Sequence, residues 1–190
     1  MDSIKKKIIT LIFRYIIILF FGLFNIWIFY KLFTSPTIFL VSKIISIFGN
    51  TTLFGNIIFY QGIIFQIIPA CVAGSAYYLL FILIMSISDL KPIKHALILV
   101  FSFSLLFIIN VLRIVVLVFM FGSFYFEPIH LFFWYVLSTL FVFLIWVLCI
   151  KVFSIKEIPI YSDIKFLMNN LKVRKSEPKR KHTKKTKRDK

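Results

Sequence analysis

The sequence predicts an all-α polytopic membrane protein with about four transmembrane helices. Hydrophobic residues make up 61% of its 190 residues and charged residues only 16%, whereas a soluble domain is about 45–50% apolar and about 25% charged. Four apolar stretches approach or exceed the ~20 residues that a helix needs to cross a bilayer. The basic residues are concentrated in the segments that flank these stretches.

The predicted spans follow the apolar stretches in chain order. The first comes after the basic stretch Lys5–Lys7. It is too long for the apolar part of a signal peptide and no small-residue cleavage site follows it, so we expect a retained helix. The second span is the shortest. The four spans cover about residues 8–30, 72–88, 96–120 and 129–150.

The distribution of lysines predicts the orientation of these spans. Lys5–Lys7 precede the first span, Lys91 and Lys94 join the second to the third, and a basic tail follows the fourth. The opposite side carries only Lys31 and Lys43. Because cytoplasmic flanks carry the excess of Lys and Arg, we expect both termini in the cytoplasm.

Residues 34–70 then lie on the outer side. In "TIFLVSKIISIFGN" the polar positions 42, 43, 46, 49 and 50 form one helical stripe, which is typical of an amphipathic helix in the membrane interface. The next stretch, "TTLFGNIIFYQGIIFQIIPA", is apolar but interrupted by Gly55, Gly62 and Pro69. Its pattern fits either a short β-hairpin around Gln61-Gly62 or a re-entrant segment packed against the helices.

Residues 151–190 form a strongly basic segment. Fourteen of the 23 Lys and Arg residues lie between Lys151 and Lys190. Such a block of like charge has too little apolar surface to fold, so we expect residues 1–150 to be the membrane-embedded domain and the rest a largely disordered cytoplasmic tail. The tail would bind anionic lipid headgroups. Phosphate attraction alone does not read bases, so the charge does not indicate a nucleic-acid partner.

Three reactive side chains occur at nearly the same predicted depth on three spans. Cys71 lies at the outer entrance of the second span, and His130 opens the fourth on its outer side. Arg113 is 17 residues past Ala96 in the third, which at 1.5 Å per residue is roughly 26 Å into a hydrocarbon core of about 30 Å. Ionisable residues are costly in a bilayer and often functional, so these positions predict one site at the outer face.

The surroundings of Cys71 suit a nucleophilic thiol. Pro69 favours a helix start near Cys71, and a thiol at a helix N-terminus is favoured as the reactive thiolate. The small residues Ala73, Gly74 and Ser75 leave room for a substrate backbone to come close.

The other candidates have complementary roles. His130 is suited to act as a base and then as an acid toward the leaving group, and Arg113 to stabilise the thiolate or an oxyanion. Asn110, one helical turn before Arg113, faces the same way and would orient it. Further candidates for a substrate groove, for which a core or interface role is the commoner alternative, are Tyr60, Gln66, Tyr77 and Tyr78.

Each residue also has a purely structural interpretation. Cys71 taken alone is more often an inert buried thiol. Arg113 alone fits a snorkelling side chain or an ion pair with Glu127, and His130 alone fits an interfacial histidine. Taken together, these structural interpretations require that three unrelated residues lie at nearly the same depth by coincidence. Cys149 lies at the cytoplasmic end of the fourth span, a membrane away from Cys71, which excludes a disulfide between the two.

The sequence indicates no metal site and no cofactor. His95, His130 and His182 lie at scattered depths, with His95 and His182 expected in cytoplasmic segments, and there is no Gly-rich phosphate loop. Arg14, about two turns into the first span, is expected to snorkel.

Three motifs resemble those of the exosortase/archaeosortase family. "PACVAGSAYYLL" resembles its cysteine motif, with Cys71 and Gly74 in the expected places, "NVLRIV" (110–115) resembles its arginine motif, and "PIH" (128–130) its histidine motif. The order Cys, Arg, His is also similar, and the resemblance covers about residues 35–150. Family members tend to have more spans. Many bacterial members carry Glu-Ala-Cys-Ser-Gly, where this chain has Pro69, Val72 and an additional Ala73, which favours the archaeal branch.

The resemblance implies a membrane-embedded cysteine protease and transpeptidase in the plasma membrane of a prokaryote. Such enzymes act on secreted surface proteins whose C-terminal sorting signal has a short motif, an apolar helix and a basic cluster. They cleave at the outer face and transfer the acyl group to another acceptor, with a lipid as the expected one. Cys71 would attack the scissile carbonyl, His130 would move protons and Arg113 would stabilise negative charge.

Two other interpretations fit parts of the sequence. In a non-enzymatic assembly factor or a small transporter subunit, Arg113 and Glu127 would form a structural ion pair and Cys71 would be ordinary packing. A membrane thiol oxidoreductase would need a second outer cysteine, which the sequence lacks.

Overall fold

The computed structural model describes residues 2–23, 26–88 and 90–155 together with Met168. The described part is mainly helical, as predicted, but it also contains a small sheet. The helices are Asp2–Leu23 (α1), Trp27–Ser46 (α2), Pro69–Val72 (α3), Gly74–Met85 (α4), Pro92–Met120 (α5), Phe126–Phe132 (α6) and Ser138–Val152 (α7), with a π-helical turn at Phe133–Leu137. The strands are Thr51–Phe54 (β1), Ile57–Tyr60 (β2) and Ile63–Gln66 (β3). Of the predicted tail, all but 151–155 and Met168 lies outside the described residues.

The long helix α5 is the centre of the helical packing. It contacts α2, α4 and α7, and α4 contacts α1. The start of α5 lies beside the end of α4, where His95 Nε2 is 3.1 Å from the Ile87 carbonyl oxygen that accepts its hydrogen bond. The Phe153 ring, just past α7, contacts Phe101 near the start of α5 (5.7 Å between centroids). Both α4 and α7 therefore run antiparallel to α5.

Helices α1 and α2 follow one path in the direction opposite to α4. Arg14 of α1 donates a hydrogen bond to the Ile87 carbonyl just past the end of α4. Tyr30 of α2 lies against Gly74, the first residue of α4. The expectation that Arg14 snorkels is wrong, because its guanidinium is buried and satisfies carbonyls at the end of α4.

The predicted boundary between the first span and an interfacial helix is also wrong. Residues 8–30 do not form one helix, because Ile26 has a left-handed backbone (φ 60°) immediately before α2. Helix α2 then continues through Pro36, so residues 37–46 are the second half of a 20-residue helix. Val41 and Ile45 are completely buried against the sheet and α5, and this tertiary packing overrides the helix-breaking tendency of the proline.

The lengths and composition of the helices support a membrane protein. Among the described residues, α2 and α5 are long and apolar enough to cross a membrane, and α6 with α7 would make a third span if the bent pair acts as one. The 29 residues of α5 correspond to about 43 Å, more than the ~30 Å hydrocarbon core. Large apolar side chains face outward along these helices, such as Phe39, Leu97 and Val100. Two or three candidate spans are thus present, whereas four were predicted.

Residues 51–66 form an antiparallel meander in the order β1-β2-β3. Two-residue turns at Gly55-Asn56 and Gln61-Gly62 join the strands. Gly55, Gln61 and Gly62 have φ of 61°, 49° and 81°, which is the backbone that tight hairpin turns require. The hairpin alternative at Gln61-Gly62 is therefore correct, and the first hairpin is an addition that the sequence analysis missed. Ile58 of the central strand is completely buried against the helices.

A left-handed residue breaks the helix at the start of the predicted second span (72–88). Helix α3 ends at Val72, Ala73 is left-handed (φ 59°, ψ 39°), and α4 begins at Gly74. This backbone costs an L-residue with a Cβ roughly 1–2 kcal/mol. Cys71 therefore lies on a four-residue turn and not in the first turn of a long helix. The argument that a helix dipole activates its thiol loses its basis.

The predicted fourth span is bent. Helix α6 and the π-helical turn meet α7 at an angle of 46°, so residues 129–150 are not one straight helix. Wide π-helical turns occur often at functional sites, and this one comes directly after the segment that carries His130.

The backbone of Ala73 leads to a stability prediction. Ala73→Gly should raise the free energy of unfolding by up to about 1 kcal/mol, because relief of the left-handed strain exceeds the added backbone entropy of glycine. Ala76→Gly is the matched control: the same change inside regular α4, at a buried position, should lower it by about 1 kcal/mol or more. Thermal unfolding in detergent micelles measures both, and equal losses at the two positions would contradict the strain at Ala73.

Candidate active site

The turn that carries Cys71 is fixed at both of its ends. Pro69 occupies the first turn of α3 after the extended residue Ile68, and the Cys71 N–H donates to the Ile68 carbonyl at 2.9 Å. Left-handed Ala73 then stops the turn. Because the helix does not continue, the Cys71 carbonyl does not accept the bond that it would have in a longer helix.

Two side chains of α5 donate to this carbonyl. Asn110 Nδ2 is 3.0 Å and Arg113 Nη2 is 3.3 Å from the Cys71 carbonyl oxygen. Three residues apart on α5, they lie on the same side of the helix. Both are buried. Asn110 thus anchors the backbone of Cys71 at the same carbonyl oxygen that Arg113 contacts, whereas its predicted role was to orient Arg113.

Cys71 and Arg113 line a cavity of about 320 Å³ between β3, α3, α5 and α6. His130 lines the same cavity from α6, so the structure brings the three predicted catalytic side chains to one cavity. The fourth polar side chain in its lining is that of Gln66. The remaining lining is apolar: Val41, Ile58, Ile64, Phe65, Ile67, Ile68, Ile114, Leu117, Val118, Phe121, Phe126, Phe133 and Trp134.

Aromatic neighbours position the imidazole of His130. Its ring stacks on Phe126 one turn earlier (5.7 Å, 21°) and meets Trp134 one turn later edge to face (6.2 Å, 82°). His130 is half-buried, whereas the Glu127 side chain on the same helix is exposed. The sequence analysis missed this aromatic wall, although the spacing of 126, 130 and 134 places all three on one helical face.

Gly74 does not line the cavity. It is buried, and a Cβ at this position would be 2.6 Å from the Tyr30 ring. The expectation that Gly74 leaves room for a substrate is therefore wrong, because the Tyr30 side chain occupies that space. Of its neighbours, Ala73 is half-buried and Ser75 is exposed.

Of the four candidates for a substrate groove, only Gln66 faces the cavity. Tyr77 is completely buried and stacks on Phe33 at 3.8 Å between ring centroids. The Tyr78 hydroxyl donates to the Ile18 carbonyl at 3.0 Å, and Tyr60 belongs to the buried cluster between the sheet and α5. The three tyrosines are structural, which is the alternative that the sequence analysis favoured.

The other described cysteine and histidine lie away from the cavity. Cys149 is 1% exposed and belongs to the cluster around α4 and α7, whereas Cys71 packs against the cluster around the sheet. Both thiols are free. His95, which was expected in a cytoplasmic flank, is buried, and its ring hydrogen-bonds to the Ile87 carbonyl. His182 lies outside the described residues. Within the described ranges, no group of three or more His, Cys, Asp or Glu side chains could hold a metal ion.

Comparison of the chain with protein-family models, with curated proteins and with solved structures gives no match. The geometry of the cavity and the three motif resemblances are therefore the basis for a functional proposal.

The contact between Gly74 and Tyr30 leads to a prediction about packing. Gly74→Ala should destabilise the fold by about 1–3 kcal/mol, because the added methyl group overlaps the Tyr30 ring. In a Tyr30→Ala background the same change should cost less than 1 kcal/mol. Unfolding in detergent of the wild type, the two single variants and the double variant measures how far the cost of Gly74→Ala depends on Tyr30. A cost that is the same in both backgrounds would contradict the overlap.

Proposed function

We propose that this chain is a membrane-embedded cysteine protease and transpeptidase. It cleaves C-terminal sorting signals from secreted surface proteins and transfers the acyl group to another acceptor, which we take to be a lipid. The observation that carries the proposal is the shared cavity of Cys71, Arg113 and His130. The first two are 42 residues apart, and the third comes from another helix.

Each residue has a role in a balanced acyl transfer. The Cys71 thiolate attacks the scissile carbonyl and forms a tetrahedral intermediate, whose oxyanion the positive charge of Arg113 stabilises. The intermediate collapses to a thioester as His130 protonates the leaving amine. His130, which held the Cys71 proton before the attack, then takes a proton from an acceptor hydroxyl, which attacks the thioester and releases Cys71 as the thiolate. Asn110 is a positioning residue, since it holds the backbone of Cys71.

The helix directions support a four-pass topology with both termini in the cytoplasm. Helices α1 and α2 run opposite to α4, and both α4 and α7 run opposite to α5. The chain therefore reverses direction from α1–α2 to α4, from α4 to α5 and from α5 to α7. Lys91 immediately precedes α5 and Lys151 lies in the last turn of α7, so both are at the end of the bundle opposite to Cys71. Because basic flanks mark the cytoplasmic side, the cavity opens on the extracellular side of the plasma membrane of a prokaryote.

The proposed partners follow from this topology. The substrates are membrane-anchored precursors that carry a short motif, an apolar helix and a basic cluster at their C-termini. The apolar lining of the cavity suits a substrate segment that leaves the bilayer close by. The basic segment of the chain, residues 151–190, contributes binding to anionic headgroups.

A structural role for the same residues is the competing interpretation. Arg113 and Asn110 brace the Cys71 carbonyl, as they would in a non-enzymatic assembly factor or transporter subunit. The two functions differ in what they demand of the thiol. Only a catalyst needs a reactive one, so the rate of Cys71 alkylation separates them.

We expect Cys71 to react rapidly with iodoacetamide at neutral pH in the folded protein. Arg113→Ala and His130→Ala should each slow the reaction by roughly tenfold or more, because the thiolate is the reacting form and each change removes a group proposed to favour it. Mass spectrometry of the alkylated protein over time gives the rate. Cys149 supplies an internal comparison, since it is almost completely buried.

Arg14→Ala is the matched control for the loss of a buried guanidinium. Arg14 also donates to backbone carbonyls, but at the opposite end of α4, so its replacement should reduce stability without changing the alkylation rate of Cys71. A slow, variant-independent reaction of Cys71 would support the non-enzymatic alternative.

In cells, Cys71→Ala should abolish processing of the substrates, because the other thiol, Cys149, is buried away from the cavity and cannot form the thioester there. The C-termini of surface proteins that end in an apolar helix and a basic cluster should be trimmed and lipid-modified with the wild-type chain and intact with the variant. Mass spectrometry of these C-termini tests this, with Cys149→Ala as the control that should retain processing. Full retention with Cys71→Ala would refute the proposal.

A further inference from the structure

The sheet has an edge that faces the candidate active site. In the order β1-β2-β3, the outer edge of β3 has no neighbouring strand among the described residues. Residues 64–68, which comprise most of β3 and its continuation, all line the cavity. Three residues past Ile68, the chain reaches Cys71, whose N–H donates to the Ile68 carbonyl.

The register of the sheet fixes which backbone groups point to this edge. Phe65 pairs with Ile58, and the Ile67 N–H donates to the Asn56 carbonyl at 2.9 Å. In an antiparallel ladder, alternate residues exchange hydrogen bonds with the neighbouring strand. The N–H and C=O groups of Ile64 and Gln66 therefore point away from β2.

We infer that the substrate segment binds as a fourth, extended strand on the outer edge of β3. The inference rests on the proposed function and adds the conformation and class of the substrate: an extended, apolar peptide read mainly through its backbone. Strand addition supplies affinity from main-chain hydrogen bonds, and pockets for alternate side chains supply specificity. The apolar lining of the cavity, with Gln66 as its polar exception on the sheet side, fits such a peptide.

Strand addition also explains how the scissile bond reaches Cys71. A peptide that pairs with Ile64 and Gln66 lies beside β3. From Gln66 the chain reaches the nucleophile, Cys71, in five residues. The lining of the same cavity includes α6 and the π-helical turn, with His130 and the rings of Phe126 and Trp134. The peptide would then lie between the strand edge and this aromatic wall, with its carbonyl presented to Cys71.

The experiment compares two reagents on the full-length protein in nanodiscs. One is iodoacetamide, which needs no peptide binding, and the other is the chloromethyl ketone of an acetylated apolar tetrapeptide. The quantity measured is the rate at which the peptide chloromethyl ketone reacts with Cys71 divided by the rate at which iodoacetamide does. Strand addition predicts that Gln66→Pro lowers this ratio roughly tenfold, as expected for one lost hydrogen bond whose peptide partner stays unsatisfied. Proline removes an N–H that is not used to pair with β2, so the sheet is preserved.

Two variants control for other effects of this substitution. Gln66→Ala removes the side chain but keeps the N–H, so the fall in the ratio that Gln66→Pro shows beyond that of Gln66→Ala is the part due to the backbone N–H. Leu53→Pro removes an outward N–H from the opposite edge of the sheet, on β1, whose residues do not line the cavity, and should leave the ratio unchanged.

A second series keeps the wild-type protein and changes the peptide, so that it is independent of how Gln66→Pro folds. In a peptide that pairs with β3, every second amide N–H points toward β3. N-methylation of those amides should lower the ratio, and N-methylation of the amides between them should not. Equal effects of both sets, or a ratio that Gln66→Pro does not change, would overturn strand addition while leaving the nucleophile intact. If Cys71 is unreactive toward iodoacetamide as well, the proposed function fails and the strand inference fails with it.

Discussion

The carbonyl group of Cys71 is the point on which the candidate site depends. Left-handed Ala73 ends α3 after one turn and leaves this carbonyl without a helical partner, in surroundings where an unsatisfied polar group costs about 1–3 kcal/mol. Asn110 and Arg113 supply the donors. The same two bonds give a buried amide and a buried guanidinium an acceptor. They also tie the segment that follows β3 to the middle helix α5, and so they set the position of the thiol relative to the cavity.

A comparison within the chain shows why the surroundings of Arg113 matter more than its hydrogen bond. Arg14 is equally buried and also donates to carbonyls next to α4, at the other end of that helix. It lies in the packing around the Ile87 carbonyl, whereas Arg113 lines a cavity together with a thiol and an imidazole. Two arginines with the same type of bond thus have different chemical settings. Only the one beside the cavity has access to a charge that would develop on a bound substrate.

The sequence predicted the meeting of Cys71, Arg113 and His130 because helix rise is regular. Counting residues from the ends of apolar stretches gives depth to within a turn, and depth was the whole argument. It could not predict the break at Ala73, since alanine favours helices and nothing local marks it as left-handed. The Tyr30 ring on Gly74 and the guanidinium of Arg14 at the end of α4 depend on contacts between distant residues. The first hairpin was missed for a different reason: the Gly55-Asn56 turn was present in the sequence but was not weighed.

A buried arginine is an expensive way to satisfy one carbonyl. Asn110 already donates to the Cys71 oxygen at 3.0 Å, a shorter bond than the 3.3 Å from Arg113, and an apolar side chain of similar volume often stabilises a core as well as buried charge does. The Cys71 carbonyl by itself therefore gives little reason for a guanidinium at this position. A negative charge that appears only during a reaction does give one, because a fixed positive charge in apolar surroundings interacts with it far more strongly than it would in water.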